Sequence, residues 1–149
     1  MRIPLSDLAA TARLGAAIAG RLRSGDVVAL SGPLGAGKTS LARAIIGALG
    51  YEGEVPSPSF SIVELYEPPA IALPVVHADF YRLASPREVD EIGLDDYRDG
   101  AVLIAEWPEN AGGFLKESGC ISIALELADE GRIAIVEGGT DWLGRMPCP

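Results

Sequence analysis

Short apolar runs of strand length alternate along this chain with stretches of helical periodicity, a pattern that predicts a layered α/β architecture. Ser6 is placed to cap a first helix whose apolar side is Leu14, Ile18 and Leu22, ending near Gly25. Residues 26–31 form a β-branched apolar run expected to be a buried strand, and residues 40–49 carry apolar side chains at helical spacing. The Pro-Ser segment 56–61 cannot be helical and leads into a strand over residues 62–66. Pro68, Pro69 and Pro74 mark a loop, after which residues 75–79 read as a strand, 85–97 as broken helix and 101–105 as a buried strand. Residues 121–127 and 132–136, joined by Asp129, Glu130 and Gly131, read as a hairpin. Residues 142–149 read as a tail, and no internal repeat is present.

Between the first predicted strand and the second predicted helix lies Gly-Pro-Leu-Gly-Ala-Gly-Lys-Thr, residues 32–39, the full G-x-x-x-x-G-K-[ST] pattern. Strand before and helix after is the context in which this pattern cradles phosphate. Glycines let successive N–H groups turn inward around phosphate oxygens, the lysine reaches the β and γ phosphates, and the hydroxyl ligates Mg²⁺. The start of the following helix adds the positive end of its dipole. Leu34, Gly35, Ala36, Gly37, Lys38, Thr39 and Ser40 are therefore the candidate phosphate ligands. The expected fold is a phosphate-loop NTPase-like sheet flanked by helices, with mixed parallel and antiparallel strands and a C-terminal hairpin.

At 149 residues and 48% hydrophobic content the chain can build one core, so one domain is expected. Net charge is −9, and residues 79–110 hold nine acids against three arginines. Such a surface argues against gripping nucleic acid unaided. No signal peptide or membrane-spanning run is visible, which gives the expectation of a soluble cytoplasmic protein. Cys120 and Cys148 are isolated, suggesting neither a zinc site nor a disulfide framework.

The chain has one asparagine, Asn110, and no glutamine, so the Asn-Lys-x-Asp base reader and water-positioning Gln of GTPases are missing and ATP is the expected nucleotide. A carboxylate is left to organise an attacking water. Glu106 follows an apolar strand, the end at which open α/β sheets place their ligands, and Asp79 ends another. Both are candidate catalytic residues beside Lys38, for metal or water organisation. Ser57, Ser59 and Ser61 supply hydroxyls where nucleotide switches contact Mg²⁺ or the γ-phosphate. His77, the single histidine, reads as a packed structural residue, and Arg82 as a partner within the acidic region. Trp107 reads equally as core or as a cover for the nucleotide.

Together the phosphate loop, Ser57-Pro-Ser-Phe-Ser61, His77-Ala-Asp-Phe-Tyr-Arg-Leu83, Gly93-Leu-Asp-Asp-Tyr97 and Glu106-Trp-Pro-Glu109 resemble the TsaE (YjeE) family of bacterial tRNA threonylcarbamoyladenosine biosynthesis ATPases, from about Leu8 to Arg132. The resemblance implies an ATPase that assists modification of tRNA position 37, working with a separate threonylcarbamoyl transferase subunit and its dimerisation partner and meeting tRNA only through them. It implies that Thr39 and Glu106 hold Mg²⁺, that Asp79 serves near the γ-phosphate or its water, that Trp107 belongs to the functional surface, and that Leu8 and Arg132 lie near the nucleotide. Departures are Ser59 where the family usually has Thr, Phe80 for an aliphatic residue and Pro33 for an often acidic one. The competing reading is a small-molecule or nucleotide kinase, for which the chain is poorly provided: after Arg98 only Arg132 and Arg145 could furnish a lid. A third reading is a nucleotide sensor that does not hydrolyse.

Overall fold

The computed structural model describes residues 1–59 and 61–149; Phe60, within the Pro-Ser motif, lies outside the described residues. A seven-stranded sheet has the order β1-β7-β6-β2-β5-β4-β3. Its strands are β1 (Arg2–Leu5), β2 (Val27–Ser31), β3 (Val63–Tyr66), β4 (Val75–Asp79), β5 (Val102–Glu106), β6 (Cys120–Leu127) and β7 (Arg132–Gly138). The central strands β6, β2, β5 and β4 run parallel, while β1 on β7, β7 on β6 and β3 on β4 are antiparallel. The parallel centre is covered on both faces, so β2 and β5 are continuous apolar runs.

Helices α1 (Leu8–Ala19) and α2 (Lys38–Ala48) pack together on one face. They approach so closely that a Cβ on Gly15 would lie 2.5 Å from Ala44 Cβ. The short helices α3 (Glu88–Glu91) and α4 (Leu94–Arg98) are separated at Gly93, whose φ of 72° breaks the helix as the sequence predicts. Strand alternation divides the core between the faces. Val75, Val102 and Ile104 join the α1/α2 cluster, and Val76, Ala78, Leu103 and Ala105 join the opposite one. His77, Asp79 and Glu106 therefore share the face on which α2 begins.

Several boundaries differ from the sequence reading. The cap of α1 is Asp7, not Ser6: its Oδ1 accepts the Ala10 N–H at 2.8 Å. The helix ends at Gly20 rather than near Gly25, because the N–H groups of Arg21 and Leu22 bond to Ile18 and Ala19 in tighter turns. Ile62 does not begin β3. Its φ of 69° lies in the left-handed region, with its N–H on Pro58 O and its carbonyl accepting the Asp79 N–H. β1 escaped the pattern altogether, being four residues with a proline on a sheet edge.

The tail reading of residues 142–149 is corrected. Trp142 is fully buried and its Nε1–H donates to Gly119 O at 2.9 Å. Arg145 lies over the Trp142 ring and forks onto Asp26, at 2.7 Å to Oδ2 and 2.8 Å to Oδ1. An apolar ring and a paired guanidinium thus dock the segment beneath the start of β2. Among the described residues no helix is long and apolar enough to cross a membrane.

Candidate functional site

The phosphate loop leaves the end of β2 and enters α2. Gly32 has φ 138° and packs so tightly that a Cβ would sit 2.4 Å from Leu125 O; Gly37, at φ 101°, turns the chain into the helix. Neither geometry admits another residue without strain. Lys38 is 6% exposed, and its Nζ donates to Gly32 O at 2.7 Å and Pro33 O at 2.8 Å beneath the Trp107 ring, 4.3 Å from the centroid. Burial pushes its pKa below the ordinary lysine value, opposed by the fields of Glu106, Asp79 and Glu109.

Next to the loop, β4 and β5 end in register, with Asp79 opposite Glu106. Thr39 Oγ1 donates to Glu106 Oε1 at 2.8 Å, tying the first turn of α2 to the end of β5. Asp79 Oδ1 accepts the Tyr81 N–H at 2.9 Å, while Oδ2 accepts from Ser59 Oγ at 3.3 Å, and Ser57 Oγ is 2.7 Å from Ser59 Oγ. Trp107 has a left-handed backbone, φ 56° and ψ 51°, and its ring lies 4.9 Å from that of Tyr81.

These groups line a cleft of about 570 Å³ that takes in Leu34, Gly35, Gly37, Lys38, Thr39, Ser40, Ser57, Asp79, Glu106 and Trp107, together with Arg82. A second pocket of about 270 Å³ adjoins it through Gly35, Gly37 and Ser40 and holds Ala36, Leu8 and Arg132. Arg132 donates to Gly35 O at 3.0 Å, which ties the start of β7 to the loop. Ser61 is not brought to the carboxylates: its hydroxyl donates to Glu64 at 2.9 Å and faces another groove.

His77 is buried as the sequence reading has it, but its Nε2 lies 2.6 Å from Glu106 Oε2, a contact missed at that level. Strand alternation puts His77 on the same face of β4 as Asp79 but does not say that β5 lies alongside, so the partner was not readable from it.

The donor set suits Mg²⁺ bound together with phosphate. Among the described residues no three His, Cys, Asp or Glu side chains gather to hold an ion by themselves. Mg²⁺ on a nucleotide needs only one or two protein ligands, since phosphates and waters complete its shell. A threonine hydroxyl hydrogen-bonded to a buried carboxylate beside a phosphate loop meets that requirement.

The sequence model of the family described as "Threonylcarbamoyl adenosine biosynthesis protein TsaE" matches residues 5–134. The chain belongs to the TsaE family. The tRNA threonylcarbamoyladenosine biosynthesis protein TsaE of Mycobacterium tuberculosis is 42% identical over 106 residues, covering 66% of this chain and 63% of that protein. The TsaE protein of Haemophilus influenzae is 36% identical over 107 residues, covering 71% and 66%. The match to the mycobacterial TsaE thus spans less than two thirds of that relative's length. The crystal structure of Bacillus subtilis YdiB is similar with a TM-score of 0.76 at 26% identity, over 97% of this chain and 89% of that one. The likeness fits the α/β phosphate-loop fold expected from the sequence. The TsaE match contains the loop, Asp79, Glu106 and Arg132, and ends before Trp142 and Arg145.

Proposed function

We propose that this chain is the ATPase component of tRNA N6-threonylcarbamoyladenosine formation, acting on position 37 in complex with a threonylcarbamoyl transferase subunit and its dimerisation partner. The observation that carries the reading is the Thr39–Glu106 hydrogen bond, which couples the phosphate loop to the end of a neighbouring strand within a chain of the TsaE family. Its support in biology is the name borne by its relatives.

The loop N–H groups and the α2 N-terminus receive the phosphates, and Lys38 exchanges its bonds to Gly32 O and Pro33 O for phosphate oxygens. Leu8, Ala36 and Arg132 enclose the base side of the nucleotide in the adjoining pocket. Thr39 and Glu106 would hold Mg²⁺, which would supply neutralisation of phosphate charge. Asp79, its two oxygens held by the Tyr81 N–H and Ser59, orients water at the γ-phosphate. Trp107 covers Lys38 and is itself flanked by the Tyr81 ring. No glutamine exists to position water, so turnover is slow alone and rises with the transferase complex. A group supplied in trans contributes ~10³–10⁵ in rate in related reactions. The acidic chain meets tRNA only through those partners, and the site of action is the cytoplasm. The kinase alternative has less support, since Arg82 is the one arginine lining the main cleft among the described residues.

The decisive experiment is nucleoside mass spectrometry of bulk tRNA from cells depleted of the protein, paired with ATP turnover measured with and without the transferase complex. Selective loss of threonylcarbamoyladenosine and stimulated turnover are expected. Unchanged modification after verified depletion, or fast turnover indifferent to the complex, overturns the proposal.

A further inference from the structure

Glu106 is 2% exposed, and a carboxylate so placed requires donors. Its Oε1 receives the Thr39 hydroxyl at 2.8 Å and its Oε2 meets His77 Nε2 at 2.6 Å. A carboxylate accepts hydrogen bonds, so against it the ring presents Nε2–H. Nδ1 is itself buried and, among the described residues, has no hydrogen-bond partner. Among the described residues the ring makes one hydrogen bond, the one to Glu106. It reaches that position because His77 lies on the α2 side of β4, two residues before Asp79, on the strand that pairs with β5.

We infer that His77 is a positioning residue for the cation site: its Nε2–H fixes the Glu106 carboxylate so that Oε1 faces Thr39 and the metal. The inference rests on the reading of Thr39 and Glu106 as Mg²⁺ holders. A cation shared by those two residues competes for the Thr39–Glu106 bond. His77 then remains as the side chain that holds the carboxylate in place. Removing such an outer partner lowers metal affinity even though the partner touches neither metal nor nucleotide.

The test is calorimetric binding of ATP across a Mg²⁺ titration, and in excess EDTA, for the unaltered protein, His77→Gln and His77→Asn, with thermal melts to establish folding. A glutamine amide nitrogen falls near the position of Nε2 and can still reach Glu106; asparagine is equally polar but one methylene shorter and cannot. The Mg²⁺ concentration giving half the tightening of ATP binding should rise ~10–100-fold in His77→Asn and stay within about 3-fold of the unaltered protein in His77→Gln. Affinity in EDTA should be the same in all three, because the phosphate loop supplies it. A His77→Asn protein with an unshifted Mg²⁺ response, or two folded variants equally impaired, overturns the inference. Should His77→Asn not fold, His77→Gln decides alone: a response near that of the unaltered protein supports the role, and a shift of about 10-fold or more refutes it. An unaltered protein whose ATP affinity ignores Mg²⁺ refutes the metal reading itself, a result distinct from a Mg²⁺-dependent protein indifferent to His77→Asn.

Discussion

Replacing Arg145 by methionine removes the fork that closes on Asp26 and tests whether the last residues are part of the fold. Both partners are nearly inaccessible, Arg145 at 7% and Asp26 at 4%, so little water could replace the lost partner. Arg145 also donates to Arg21 O at 2.6 Å and Asp141 O at 2.8 Å, and stacks on Trp142. After the substitution Asp26 keeps, among the described residues, only the Arg23 N–H, at 2.8 Å, against its buried charge. Breaking a buried pair from one side costs about 3–5 kcal/mol. That is a large fraction of the 5–15 kcal/mol that typically separates folded from unfolded chains. At ~2–4 °C per kcal/mol for a chain of this size, the melting temperature should fall by roughly 6–20 °C. Thermal and urea unfolding followed by circular dichroism measures both quantities. The double variant Asp26→Asn with Arg145→Met should recover part of the loss, since it no longer buries an unpaired charge. ATP affinity below the transition should be unchanged, because Asp26 precedes β2 and the phosphate loop follows it. A single variant within ~1 kcal/mol of the unaltered protein would refute the docking argument and restore the tail.

Three further outcomes are expected. Burial lowers the Lys38 pKa, so the unfolded chain binds that proton more tightly; Lys38 opposes folding below its folded pKa, and the penalty lifts as pH rises toward the ordinary value of 10.5. Lys38→Met should therefore lose part of the rise in stability between neutral pH and 10.5, read by urea unfolding; identical pH profiles would refute this. The Cys120 thiol is pushed up to about 11 by burial and by Glu117, against Arg98, whereas Cys148 is exposed. A thiol reagent at mildly alkaline pH should titrate Cys148 quickly and Cys120 only on unfolding, and two equally fast thiols would contradict the burial. Gly15→Ala should destabilise by about 1–3 kcal/mol because its methyl would meet Ala44, and a variant as stable as the parent would show that the helix pair can spread.

What was legible in the sequence follows from how many positions carry each signal. β2, β4 and β5 are runs of buried residues that no amphipathic helix would show, so their place and the strand-end positions of Asp79 and Glu106 could be read directly. The loop was legible because its chemistry demands fixed residue types at fixed spacing. Adjacent donors are harder to separate: Ser6 and Asp7 are both good caps, and only the extended φ of −154° at Asp7 chooses between them. The C-terminal segment lacks periodicity because a short 3₁₀ turn, one tryptophan and one arginine do the docking. The His77–Glu106 contact depends on which strands are neighbours, and strand order is set by the whole sheet.

The sheet carries two buried charge systems at opposite ends of its parallel strands, and they are built on opposite principles. At the start of β2, Arg145 and Asp26 satisfy each other through two parallel bonds, and their remaining polar atoms are filled by backbone. Such a closed arrangement can be broken only at a large cost, which suits a clamp. At the other end, Lys38 donates to two neutral carbonyls of its own loop and Thr39 donates to Glu106. A phosphate oxygen carries a formal negative charge where a carbonyl offers only a dipole, so the Lys38 contacts are ones a phosphate can displace. The Glu106 contact to His77 differs in being buried at both ends. In the nucleotide-binding reading proposed above, the Lys38 and Thr39 bonds exchange while the His77 bond stays and holds the carboxylate from inside the sheet.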